Sequence, residues 1–124
     1  MPRDSILHVS STTPLAAAGL FTSSWQQVRL YPLAEGATSI PIVWDRNRIR
    51  GSVITDQASA ANGFQVQFAN EDDQSDSFPA YQAALAANIP TVFDVQLSAK
   101  YVRIELTNGA TPQTLLELFA RLED

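Results

Sequence analysis

The chain has 124 residues, no cysteine, a single histidine and a formal net charge of −5. That length fits one domain, which buries roughly two thirds of its unfolded surface, and 45% hydrophobic against 17% charged residues excludes intrinsic disorder. Zero cysteine excludes a disulfide scaffold, a thiol nucleophile, a zinc ribbon and an iron–sulfur site, and the lone His8 leaves no histidine pair for a metal.

The opening Met1-Pro2-Arg3-Asp4-Ser5 does not read as a secretory signal, because the apolar stretch after it is broken by His8, by Ser/Thr at 10–13 and by Pro14. No segment approaches the ~18 apolar residues of a membrane helix, so synthesis in a cytoplasm and no membrane partner are expected. Residues 1–13 are taken as an extended arm in which 5–10 form an edge strand. Residues 20–28 then read as a second strand carrying Trp25. Residues 40–44 and 48–55 read as a hairpin around Asp45-Arg46-Asn47, with Pro41 confining its first arm to an edge or bulge.

Farther on, apolar and polar residues alternate strictly. Phe64, Val66 and Phe68 share one strand face and Gln65 and Gln67 the other. Phe93, Val95 and Leu97 repeat the pattern, as do Val102, Ile104 and Leu106 against Arg103 and Glu105. Asn62-Gly63, Ile89-Pro90 and Asn108-Gly109 lie between these runs and signal turns. Residues 81–87 are ambiguous, because their alanines favour helix and their position favours strand. Residues 114–122 carry a sharper conflict. Thr111-Pro112 resembles a helix start, and Leu115, Leu118, Phe119 and Leu122 fall at helical spacing. The strand phase instead aligns Leu116, Leu118, Ala120 and Leu122.

Charge is uneven: residues 1–55 balance to +2 and residues 56–124 to −7. That distribution lacks the clustered Lys/Arg that nucleic acid requires. Arg46, Arg48 and Arg50, at spacing two, project from one face of an extended strand. They make a docking stripe for an acidic partner or a guard on a sheet edge. Glu71, Asp72, Asp73 and Asp76 crowd one turn. Calcium takes oxygen ligands of this kind, but the run lacks the glycine and terminal glutamate of an EF-hand, and a solvated acidic turn is the preferred reading. Trp25, Trp44, Tyr31, Tyr81 and Tyr101 raise sugar stacking against the commoner role of aromatics in cores and interfaces. No nucleophile elbow accompanies His8, nothing singles out a carboxylate pair among Asp56, Asp94 and Glu105, and no glycine loop cradles phosphate. Neither catalysis nor a cofactor is expected.

Three stretches together resemble a β-sandwich domain of tailed-bacteriophage structural proteins. The first runs Pro14-Leu15-Ala16-Ala17-Ala18-Gly19-Leu20-Phe21-Thr22-Ser23-Ser24-Trp25, similar to that group's Leu-Ala-x-x-Gly-x-Phe/Tyr-Thr-x-x-Trp opening. The second, Gly51-Ser52-Val53-Ile54-Thr55-Asp56-Gln57-Ala58, resembles its strand ending in Thr/Ser-Asp-Gln-Ala. The third, running from Tyr101-Val102-Arg103 through Asn108-Gly109 to Gln113-Thr114, resembles its Tyr-Val-Arg, Asn-Gly and Gln-Thr signature. Two departures mark this chain: a longer connection over 30–47, and Asn70-Glu71-Asp72-Asp73 where the group has a Ser-x-Asp-Gly turn.

The resemblance implies a final strand after Gln113, which decides 114–122 against helix. It implies one all-β domain over residues 1–124, an antiparallel, jelly-roll-like β-sandwich with a hairpin inserted near 30–47. The expected function is non-enzymatic: a virion protein that decorates or cements a phage capsid, or a small tail component. A homotrimer is expected, bound to the major capsid protein or another virion protein. Trp44, Arg46, Arg48, Arg50, Glu71, Asp72 and Asp73 are the candidate contact residues. A carbohydrate- or host-surface-binding module is the alternative.

Overall fold

The computed structural model describes residues 7–28 and 48–123. Among them run nine strands: β1 (Leu7–Ser11), β2 (Leu20–Thr22), β3 (Gln26–Gln27), β4 (Arg48–Thr55), β5 (Ser59–Ala69), β6 (Phe78–Ala83), β7 (Thr91–Gln96), β8 (Tyr101–Asn108) and β9 (Leu116–Glu123). No helix occurs among the described residues. One sheet has the order β1-β9-β4-β7 and the other β2-β8-β5-β6, with β3 also on β8, and every pairing is antiparallel. Taking β2 and β3 as one interrupted strand gives eight strands in the winding of a jelly roll. The inserted hairpin expected near 30–47, with Trp44 and Arg46, lies outside the described residues.

Alternation builds the core. Phe64, Val66 and Phe68 of β5, Val102, Ile104 and Leu106 of β8, and Ile49 and Val53 of β4 are all buried. Phe64 bridges the sheets, its ring centroid 4.9 Å from that of Phe93 on β7. In β9, Leu116, Leu118, Ala120 and Leu122 point inward while Phe119 is exposed, as the strand phase requires. Local pattern loses to tertiary context here. β9 is hydrogen-bonded by β1 on one side and β4 on the other, and no helix offers its backbone that pairing.

Two segments depart from expectation. Asn62-Gly63 does not separate strands but lies inside β5, where residues 60–63 stand opposite Thr107 alone. Asn62 adopts φ 51°, and a Cβ at Gly63 would come within 2.5 Å of the Thr107 carbonyl oxygen. A bulge needs this combination. Residues 20–28 form two short strands on the same edge of β8, not one. Across the break, Ser23 N–H donates to the Ile104 carbonyl at 2.9 Å, and its Oγ accepts from Ile104 N–H at 2.9 Å. A side chain thus continues the ladder and frees Trp25 from it. In residues 81–87 the strand β6 ends at Ala83, and Leu85 then plugs the core, its N–H donating to Ser59 Oγ.

The three phage-like stretches converge at one pole of the sandwich. Asn108 Nδ2 donates to the carbonyls of Leu15, Ala16 and Thr111 at 3.3, 2.9 and 2.8 Å. Gln113 donates from Nε2 to Asn108 Oδ1 at 3.3 Å and accepts Leu15 N–H on Oε1 at 3.0 Å. Asn108 and Gln113 are 1% and 6% exposed. Beside them the Asp56 carboxylate accepts the N–H groups of Thr114 and Leu115 and the Thr114 hydroxyl, fixing where β9 starts. The signature residues are therefore a clasp between loops 12–19, 56–58 and 109–115. Asn108→Ala leaves three carbonyls and the Gln113 amide short of partners, and an expected loss of about 3 kcal/mol is read as a lower urea midpoint at unchanged slope.

Candidate functional site

Arg48 and Arg50 leave the same side of β4, as their spacing demands, on the outer face of the β1-β9-β4-β7 sheet. They meet carboxylates of their own sheet. Arg48 Nε lies 2.6 Å from Asp94 on β7, Arg50 is 2.9 Å from Glu123 on β9 and 3.5 Å from Asp94, and Arg121 lies 2.6 Å from Glu123. Three cations and two anions thus form one continuous band. The hydrogen bond from Arg50 holds the Glu123 carboxyl below its ordinary range, overcoming a smaller opposing effect of desolvation.

The acidic turn between β5 and β6 is also engaged internally. Asp76 accepts the N–H groups of Asn70 and Glu71 at 3.0 Å, and Asp73 accepts that of Ser75 at 3.0 Å. Asp72 accepts from Lys100 Nζ at 2.5 Å and from the Tyr101 hydroxyl at 3.0 Å, and these two hydrogen bonds lower its pKa. Among the described residues no cluster of three or more His, Asp or Glu side chains is set to hold a metal ion. Glu71, Asp72 and Asp73 lie between β5 and β6 of the other sheet, and the structure pairs neither Arg48 nor Arg50 with them.

Sequence reasoning missed the apolar part of the outer face. The register lines up Ser10, Phe119, Ser52 and Val92 in one row across the four strands. Val92 is 78% exposed and Phe119 45%. With Arg50, Asp94 and Arg121 they line a shallow groove of about 510 Å³. The signal was available once β9 took the strand phase, because Phe119 then falls opposite the leucines. The other outer face is polar, carrying Gln65, Gln67, Gln82, Arg103 and Glu105. Gln67 donates to Gln65 at 2.8 Å and to Glu105 at 3.0 Å, and accepts from Arg103 at 2.7 Å. The Arg103 guanidinium stands 4.5 Å from the centre of the Trp25 ring.

Asp56, Asp72, Asp73 and Glu123 all have folded pKa values below their ordinary ones. The native state therefore binds fewer protons than the unfolded chain in the acid range. Their stabilisation is present above the ordinary carboxylate range near pH 4 and is lost as pH falls through the folded values. Melting temperature is expected to decline steadily from pH 5 to pH 2, and Asp56→Asn and Glu123→Gln to reduce that slope.

The fold is shared with the PBSX exported protein XepA, whose crystal structure superposes with a TM-score of 0.69 at 15% identity over 94% of this chain. The chain spans 37% of that protein's length. A chain from the disulfide-linked pili of Bacillus endospore appendages gives a TM-score of 0.44 at 10% identity, over 99% of this chain and 93% of that one. No curated protein matches the sequence. A family model described as the uncharacterised protein YqxG N-terminal domain matches residues 3–123, and the chain belongs to that family.

Proposed function

We propose that the protein is a non-enzymatic structural protein of a phage particle, a decoration or cement protein that seats the outer face of its β1-β9-β4-β7 sheet on a repeated site of the capsid lattice. The observation that carries this reading is the exposed row of Phe119 and Val92 across Ser52, bordered by the band from Arg48 to Glu123. An apolar centre with a charged rim is the anatomy of a protein-binding patch. Because the rim charges are already paired within the sheet, docking desolvates few lone ions and their placement selects the partner's register. The phage-like signatures at 14–25, 51–58 and 101–114, and the jelly roll shared with an exported PBSX protein, support the reading. The working form is a homotrimer, and its place is the virion. Each contact is weak, and several linked contacts on one lattice multiply the affinity.

The test is co-sedimentation with the parent particle. Wild-type protein is expected to pellet with it and to scatter light at three times the monomer mass. Val92→Asp is expected to weaken pelleting at least tenfold at an unchanged melting temperature, since the side chain already stands in water. Full binding by Val92→Asp and by Phe119→Ser overturns the face. An imaged particle with no density for this chain overturns the decoration role.

A further inference from the structure

The outer face of the β2-β8-β5-β6 sheet is built differently from the docking face. Its register sets Thr22, Glu105, Gln65 and Gln82 in one row across four strands. Arg103 and Gln67 form the next row, and Tyr101 and Gln27 the one after. Strands stand about 4.8 Å apart, so these side chains stand in neighbouring rows on β8 and β5, with a register shift against β6 between Val66 and Gln67. They are also fixed in place. Gln82, Gln65, Gln67, Glu105 and Arg103 form one chain of hydrogen bonds and an ion pair, with Gln65 donating to Gln82 at 3.3 Å and Arg103 lying 3.2 Å from Glu105.

Two of the three described aromatics that raise sugar stacking lie on this face. The half-buried Trp25 is held under Arg103 through the break between β2 and β3, and Tyr101 is tethered by its hydroxyl to Asp72. The third, Tyr81, faces the core, its ring 6.2 Å edge-on to Phe64.

We infer that this face binds a neutral, hydroxyl-rich polysaccharide. Carboxamide, carboxylate and guanidinium groups are planar and two-pronged, and suit neighbouring hydroxyls on a pyranose ring. At the end of the rows Trp25, stacked under the Arg103 guanidinium, and Tyr101 offer the uncovered parts of their rings to the sugar's C–H side. Arg103 and Glu105 neutralise each other, so the surface lacks the net positive charge a polyanion requires. The one large exposed aliphatic side chain on this face is Leu20, at the β2 edge, and the outward positions of β5 and β8 carry none, whereas Phe119 stands on an inner strand of the other sheet. Prior ordering of the amides and the indole lowers the entropic cost of binding. The inference is independent of docking by the opposite face.

Affinity electrophoresis in gels containing soluble dextran, laminarin or glucomannan tests it. The wild-type chain is expected to be retarded by at least one of these, with Trp25→Ala and Gln67→Ala weakening retardation at least tenfold. Trp25→Phe is expected to restore part of it and Val92→Asp to leave it intact. Gln82→Ala, an exposed edge position, keeps the test valid where Trp25→Ala does not fold. No retardation by any of the three polymers overturns the inference. So does retardation unchanged in Trp25→Phe, Gln67→Ala and Gln82→Ala, or binding confined to heparin and abolished by salt.

Discussion

Two buried amides determine how this sandwich is assembled. Asn108 ends β8 and Gln113 precedes β9, and between them they take up backbone groups from the loop at 12–19 and from their own connection. A buried amide without partners is costly, so the site tolerates only the arrangement in which all of these loops are in place. That arrangement sets the register of β9 against β1 and β4, and the start of β2 against β8. A one-residue slip of β9 would turn Leu116, Leu118 and Leu122 outward and bring Phe119 into the core. Asp56 reinforces the same choice from outside by holding Thr114 and Leu115.

With register fixed, the two outer faces follow from the residues left over by the core. On β4 and β9 those residues are arginines, carboxylates and Phe119. On β5 and β8 they are glutamines, Arg103 and Glu105. Because the sheets pack through their inner faces, the two outer surfaces point in opposite directions. A molecule mounted by the Phe119–Val92 face therefore presents its amide face to the surroundings. Both surfaces come from strand interiors, and a side chain there has less freedom than one on a loop, which favours recognition by shape.

Much of this was legible in the chain. Alternation in 64–68, 93–97 and 101–106 identified the strands β5, β7 and β8 and their inward residues, because a half-buried strand writes its burial directly into sequence. Other features were hidden for physical reasons. The segment 114–122 satisfies two periods at once, and only its neighbours in the sheet decide between them. Asn62-Gly63 has turn chemistry, but a bulge draws on the same backbone freedom as a turn. The arginine stripe was visible at spacing two, yet its partners Asp94 and Glu123 are 44 and 73 residues from Arg50. Likewise, the joining of Val92 to Phe119 is a property of strand order, which no local pattern records.

The pairing of β1 with β9 carries a mechanical consequence. Leu7 lies opposite Leu122, so the described chain enters and leaves the sandwich side by side. Tension applied between those two points loads the β1–β9 hydrogen bonds one after another, as in a zipper, and not together in shear. Val9 is the buried anchor of that strand, and a pull along the chain reaches it after two residues. Force arriving through either broad face is instead spread over four strands. The molecule is thus suited to carry load across its sheets, and the β1–β9 pairing yields first under tension between Leu7 and Leu122.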